Sequence, residues 1–237
     1  MALLLHIETA TPTCSVSISK NSTLLGIRES YVDKSHAELL SVFIHELLEE
    51  VGVKPENLDA INVIKGPGSY TGLRIGVSTA KGLAYGLNIP LISVNTLEAM
   101  AWGMLHSSKI REGQSDKEFL LCPMIDARRM EVYTALFDQK MSIIRDTSAE
   151  IIDNESFLKY LEQGKIFFFG DGSSKCKDII HHNNAVFIEG FHNSSEYMLT
   201  PGYESYKKKV FEDVAYFEPF YLKDFIPTVP KNKVIGS

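Results

Sequence analysis

VIKGPGSYTGLRIGVSTAKGLAYGL, residues 63–87, decides how this chain folds. An apolar run ends at Gly66-Pro67-Gly68, and a helix-prone stretch follows without another proline until Pro90. Strand, tight turn and helix in succession is the repeating unit of α/β architectures. At ~100° per residue, Leu73, Val77, Ala80, Ala84 and Leu87 fall on one stripe of the helix. Gly72, Gly76, Thr79, Leu83 and Gly86 fall on an adjacent stripe of mostly small residues, and only Arg74, Ser78, Lys81 and Tyr85 make a polar strip. A helix so widely apolar or small is buried on two sides. Each glycine inside a helix costs ~1 kcal/mol relative to alanine, so several together need a packing reason. One side is expected to meet the domain's own sheet. The other meets either more of the interior or a second protein.

The turn itself resembles a phosphate loop but satisfies neither phosphate motif. A P-loop needs G-x-x-x-x-G-K-[ST], and no lysine stands at that spacing. A dinucleotide fingerprint needs G-x-G-x-x-G, and here Thr71 occupies the third glycine position, with Gly72 one residue late. A tight turn with Ser69 or Thr71 capping the helix is the plainer reading.

Working outward, residues 2–10 and 13–20 are β-prone runs joined around Thr11-Pro12, and a third run follows the Asn21-Ser22 turn, predicting an antiparallel meander. Residues 35–52 change to helical period, with Ser35 as N-cap, Glu38 at the third position and Gly52 as the stop. Residues 90–94 read as a short strand, and a helix capped by Asn95 or Thr96 follows. The first half is thus β-β-β-α-β-α-β-α, residues 1–105. Residues 106–117 are polar and turn-rich and read as a linker. Residues 118–237 begin again with a hairpin around Arg128-Arg129, then a short helix closing at Gly164, the strand KIFFFG, a helix in DGSSKCKDII, the strand NAVFIEG, and a helical segment near 194–210 interrupted by Pro201-Gly202. The last run, AYFEPFYLKDF, reads as extended. Two α/β halves that each open with strands suggest a duplicated architecture, with no repeat visible in the residues themselves.

The 237 residues suffice for one large or two small domains, and 44% hydrophobic with 23% charged residues is ordinary for a globular protein. Cys14, Cys122 and Cys176 are widely spaced, which argues against a zinc knuckle or disulfide framework and suits a reducing cytosol. No apolar stretch approaches the ~20 residues of a membrane span, and the first residues read as a strand rather than a signal peptide. A net charge of −6 is not the footprint of an autonomous nucleic-acid binder. The three consecutive lysines Lys207, Lys208 and Lys209 read as a solvated helix end, with an RNA contact as the minority reading.

Candidate chemistry is sparse. None of the seven histidines forms H-E-x-x-H, and no G-x-S-x-G or cysteine-nucleophile signature is present. Glu8 ends the first strand and Asp126 stands at a similar point in the second half; each is either an active carboxylate or a turn cap. Gly170-Asp171-Gly172 sits between a strand and serine caps, where backbone N–H groups can hold an anion, though an ordinary β–α turn is the plainer reading.

These pieces together resemble the bacterial tRNA threonylcarbamoyladenosine biosynthesis family TsaB, also called YeaZ. HIETATPTCSVSI looks like its opening hairpin, GPGSYTGLRIGVSTAKGLAYGLNIPLISVNTLEAMA matches its most specific stretch, and DARRMEVYTALF and EPFYLK fit as well. The match is tight over residues 2–104 and 124–137 and loose over about 141–214, where only FGDG stands out. The resemblance implies two actin-like (ASKHA, ribonuclease-H-like) domains, each a mixed sheet with flanking helices. It implies a non-catalytic subunit that docks and activates the homologous transferase TsaD, which modifies the adenosine next to the anticodon of ANN-decoding tRNAs. TsaD carries an H-x-x-x-H metal pair where this chain has Thr96 and Met100, neither of which replaces an imidazole ligand. The resemblance further implies that the helices at 35–51 and 70–87 pack against their counterparts in TsaD, which makes His36, Leu39, Leu40, Phe43, Gly72, Ile75, Gly76, Thr79, Leu83 and Gly86 the candidate interface. The same surface self-associates as a homodimer in the partner's absence. The ATPase TsaE joins as a third component, TsaC or its relatives supply the carbamoyl-adenylate donor, ATP is used by the complex, and tRNA is met mainly through it. No cofactor is assigned to this chain. Glu8, Thr9, Asp126, Gly170, Asp171 and Gly172 are the candidates for a weak nucleotide site. The rival readings are an actin-like-fold small-molecule kinase or weak nucleotide-binding protein, and a metallopeptidase, which the missing histidine pair opposes.

Overall fold

The computed structural model describes residues 1–32, 36–111 and 118–223. The meander forms as read: β1 (Leu3–Glu8), β2 (Cys14–Lys20) and β3 (Thr23–Ser30) pair antiparallel in sequence. α1 (His36–Glu50), β4 (Ala60–Gly66), α2 (Tyr70–Leu87), β5 (Leu91–Asn95) and α3 (Thr96–Leu105) follow. β4 lies parallel to β1, and β5 parallel to β4, so the sheet order is β3-β2-β1-β4-β5. Leu4, Leu5 and Ile7 of β1 are completely buried although they alternate between faces. A central strand covered on both sides needs such a continuous apolar run.

The caps are those expected from the residues. Ser69 accepts from the Gly72 amide at 3.3 Å, and Asn95 from Leu97 and Glu98 at the start of α3. Gly52, at φ +66°, lies just beyond α1, and the Val53 amide donates back to Leu48. This is the left-handed stop that glycine supplies without strain. Ser35, the expected cap of α1, lies outside the described residues.

The second half repeats the plan. After α4 (Ser108–Arg111) come β6 (Phe119–Asp126), β7 (Glu131–Phe137), β8 (Ile143–Ile151), α5 (Leu158–Leu161), β9 (Lys165–Phe169), β10 (Ala185–Ile188) and α6 (Leu199–Lys207), with 3₁₀ turns at Ser174–Cys176 and Ser195–Met198. β6, β7 and β8 form an antiparallel meander, and β9 and β10 add in parallel, giving the order β8-β7-β6-β9-β10. This is the connectivity of the first sheet again. The fold is two actin-like halves, and the duplication lies in topology rather than in residues.

Three expectations need correction. DGSSKCKDII makes only the 3₁₀ turn Ser174–Cys176, not a helix. Pro201 and Gly202 do not interrupt the late helix: Pro201 sits in the first turn of α6, where its missing N–H is not needed. The division at 105 and 118 does not follow the packing. Leu97, Met100, Ala101 and Met104 of α3 join the core of β6, β7 and β9, while Ala99 joins Ile64, Leu73 and Val94 of the first half. α3 is therefore buried between the two sheets. Ile110, inside the expected linker, is buried with them, and residues 112–117 of that linker lie outside the described residues. Conversely, Ser195 bonds to Ser15 of β2 at 2.9 Å and α6 packs on β5, so the chain's last elements return to the first sheet.

Candidate functional site

Two places gather the expected functional residues: the paired helices α1 and α2, and the space between the halves. On α2, Val77, Ala80 and Ala84 enter the core of the first sheet with Leu40, Ile44, Leu47 and Leu48 of α1. The stripe expected to meet a partner is divided. Gly72 and Gly76 are buried against this chain's own β1–β2 loop. A Cβ at Gly72 would stand 2.0 Å from the Thr9 carbonyl oxygen, and one at Gly76 would stand 2.2 Å from the Thr9 hydroxyl. These two glycines let an internal loop approach the helix. His36 is likewise internal, its Nε2 2.9 Å from the Thr11 carbonyl and 3.2 Å from that of Thr13, and Leu40 is buried. None of these four presents a side chain outward.

The other expected residues remain accessible. Leu39 and Phe43 on α1 and Ile75, Thr79 and Leu83 on α2 are half-buried, and Gly86 is exposed. Gly82, absent from the expected set, is exposed beside them, and a Cβ at Gly82 or Gly86 meets nothing within 4 Å among the described residues. Ile75, Thr79, Gly82, Leu83 and Gly86 recur at steps of three and four, one stripe of an α-helix. α1 lies alongside α2, so the stripe continues onto Phe43 and Leu39.

Between the halves, the β1–β2 loop is tied down from several sides. The Thr9 hydroxyl donates to Gly72 O at 2.8 Å, the Ser69 amide to Ala10 O at 2.6 Å, and the Ala10 amide to Glu8 Oε1 at 2.6 Å. Burial pushes the Glu8 carboxyl up to about 8, more than the Ala10 amide pulls it down. At neutral pH it is therefore mostly uncharged. In the second half, the Asp126 amide donates to Asp171 Oδ1 at 3.1 Å, while Asp126 Oδ1 accepts from the Arg128 amide and pairs with Lys175. Gly170, at φ +101°, and Gly172 bring the loop against Met124 O and the Ile125 carbonyl. The six candidates for a weak nucleotide site thus fall in two groups: Glu8 and Thr9 packed under the first sheet's loop, and Asp126, Gly170, Asp171 and Gly172 at the end of the second.

A cavity of roughly 200 Å3 lies where Thr11, Pro12 and Thr13 face Gly170, Asp171 and the segment Phe191 to Asn193, with Tyr31 and Met100 completing the wall. Among the described residues no lysine or arginine lines it, and Asp171 adds negative charge. The volume is below the ~300 Å3 at which pockets for larger ligands begin. The negative charge opposes a polyphosphate.

The TsaD family model, described as tRNA N6-adenosine threonylcarbamoyltransferase, matches residues 15–224. The tRNA threonylcarbamoyladenosine biosynthesis protein TsaB of Bacillus subtilis is 30% identical over 227 residues, covering 93% of each chain. The chain belongs to the TsaB family. The TsaB protein of Escherichia coli is 28% identical over 228 residues, covering 93% of this chain and 94% of its own. In fold, YeaZ from Pseudomonas aeruginosa superposes with a TM-score of 0.79 at 24% identity, over 94% of this chain and all of that one.

Within this TsaB-family chain, Thr96 and Met100 occupy α3 four residues apart, and both are buried. The Met100 methyl would stand 2.6 Å from a Cβ at Gly170, so it fills the approach between α3 and the second sheet. Among the described residues no group of three or more His, Cys, Asp or Glu is arranged to hold a metal ion. No described helix is long and apolar enough to cross a membrane.

Proposed function

We propose that this chain acts in tRNA threonylcarbamoyladenosine biosynthesis as a non-catalytic subunit that docks TsaD and holds it in active form, in a heterodimer that TsaE joins. The observation that carries this reading is the face formed by Leu39, Phe43, Ile75, Thr79, Leu83 and the open glycines Gly82 and Gly86. Half-exposed apolar side chains beside glycines with empty space above them suit the close approach of another helix. The family ties to both TsaB and TsaD support the choice of partner. Thr96 and Met100 offer no imidazole, so in this reading the metal chemistry and the transfer step belong to TsaD. A homodimer through the same face is the expected state without TsaD.

Gly82→Glu tests the proposal cleanly, since its Cβ enters open space and the monomer keeps every contact. An unpaired charge buried at an interface costs ~3–5 kcal/mol, so affinity for TsaD should fall more than 100-fold. Titration calorimetry with TsaD, beside thermal melting of the variant, reads both effects. A folded Gly82→Glu chain binding TsaD at wild-type strength removes this face from the interface.

A further inference from the structure

The turn between β6 and β7 carries two arginines that its backbone does not favour. Arg128, at φ +70°, and Arg129, at φ +50°, are the one consecutive pair of left-handed non-glycine residues among those described. Asparagine and glycine ordinarily hold such positions in a hairpin turn, and other side chains there cost stability. Both arginines are exposed. The turn does not hold them by charge either. Its flanking carboxylates are taken by lysines from elsewhere in the chain: Lys175 pairs with Asp126, and Lys223 with Glu131. The Lys175 ammonium also donates to the Glu131 carbonyl at 2.7 Å. Backbone strain kept at an exposed pair of cations points to a use for them.

A third arginine stands nearby. Arg74 is exposed, its guanidinium 4.3 Å from the centre of the Tyr70 ring, and Tyr70 stacks on Tyr221 with centroids 4.3 Å apart. Tyr221 and Lys223 are two residues apart, at most about 7 Å of extended chain, so this segment joins the Arg74–Tyr70 stack to the turn. The residue types describe the partner. A guanidinium grips a phosphate through paired hydrogen bonds and stacks on flat rings. Arginines beside stacked tyrosines suit the phosphates and unpaired bases of RNA. An acidic protein surface would meet the same charge and leave the rings unused.

We propose that this surface is an RNA contact, with phosphates on Arg128 and Arg129 and with Arg74 and the Tyr70–Tyr221 stack extending it. The net charge of −6 keeps the affinity of the isolated chain low, so the contact adds to those that another subunit makes. The proposal rests on the role in tRNA threonylcarbamoyladenosine biosynthesis and not on the α1–α2 docking face, so the two fail separately.

Fluorescence anisotropy with an unmodified tRNA transcript tests it, on the isolated chain at about 50 mM salt and on the chain with TsaD at about 200 mM. Arg128→Gln with Arg129→Gln should weaken binding about 2- to 30-fold. It should also reduce the slope of log affinity against log salt by about 1.4 to 1.8, the share of two phosphate contacts. Arg128→Asn with Arg129→Gly should weaken binding equally and raise the melting temperature by about 2–4 °C, because it relieves the backbone. Lower RNA affinity in a more stable chain is a result that a merely structural role for the arginines does not produce. Unchanged tRNA affinity and salt slope in either folded pair overturns the proposal. A lower melting temperature in the second pair would show arginines that stabilise their own turn, and weaker TsaD association at unchanged tRNA affinity would show a protein contact; each overturns it as well.

Discussion

Gly76→Ala isolates the reason α2 is rich in glycine. The added Cβ would lie 2.2 Å from the Thr9 hydroxyl oxygen and 3.4 Å from the Thr9 Cβ. To admit it, the hydroxyl must turn away and lose its 2.8 Å bond to Gly72 O. A neutral hydrogen bond contributes ~0.5–1.5 kcal/mol, and overpacking a closed site costs ~1–3 kcal/mol. Alanine returns ~1 kcal/mol of helix propensity. The net loss centres near ~2 kcal/mol, a fall of about 4–8 °C in melting temperature for a chain of this size. With Thr9→Ala the obstructing oxygen is gone, and Gly76→Ala should then stabilise by ~1 kcal/mol. The double-mutant cycle is expected to show a coupling of about 3 kcal/mol. Gly72→Ala should not be rescued in the same way, because its Cβ meets the Thr9 backbone oxygen at 2.0 Å. Gly82→Ala, with open space above it, should simply gain ~1 kcal/mol. Differential scanning calorimetry reads the wild type and each variant. A Gly76→Ala chain that melts at or above the wild-type temperature, or a coupling below ~0.5 kcal/mol, would refute the reasoning.

Other outcomes follow from the same geometry. Glu8 binds its proton more tightly folded than unfolded, so it stabilises most below its unfolded pKa of 4.5 and loses that contribution as pH rises through about 8. Glu8→Gln should flatten the decline in melting temperature between pH 6 and 9, and an unchanged slope would exclude Glu8 as its source. A Cβ at Gly202 would stand 2.1 Å from Asn62 Nδ2, which contacts His6 and Met198 O, so Gly202→Ala should cost ~1–3 kcal/mol; an unaltered urea midpoint would contradict this. With a net charge of −6, the isolated chain should bind tRNA only weakly at physiological salt, and submicromolar affinity in a filter-binding assay would count against that.

What could be read in advance was local. Ser69, Asn95 and Gly52 announced helix ends because capping is decided within four residues. The meander and the β4-turn-α2 unit followed from apolar runs and turn residues. The facing of α2 did not, because Thr9, the residue that fills the space above Gly72 and Gly76, lies 63 positions from Gly72 in sequence. A small residue looks the same whether it admits an internal loop or a foreign helix. β8 was missed for a different reason: IIRDTSAEI mixes exposed isoleucines with charges and has only one neighbouring strand, so neither face carries a clean alternation. Which sheet α3 joins had no local signal either, because α3, apolar almost all round, contributes to both cores at once.

The duplicated topology gives an internal comparison that bears on α1 and α2. The connection from meander to fourth strand carries the fifteen-residue α1 in the first half, but only the four-residue α5 in the second. The next connection carries the eighteen-residue α2 in the first half, and only the three-residue turn Ser174–Cys176 in the second. Both sheets have the same strand order, and the second closes its core over Cys122, Met124, Ile166 and Phe168 with those short pieces. Covering a sheet of this topology therefore does not require two long helices. The first half keeps them, and keeps glycines at 82 and 86 at a propensity cost of ~1 kcal/mol each, with none of the described residues packed there. Length and glycine that the fold does not use are what an interface would use. This internal contrast separates the proposed docking face from the buried glycines Gly72 and Gly76, which the chain needs for itself.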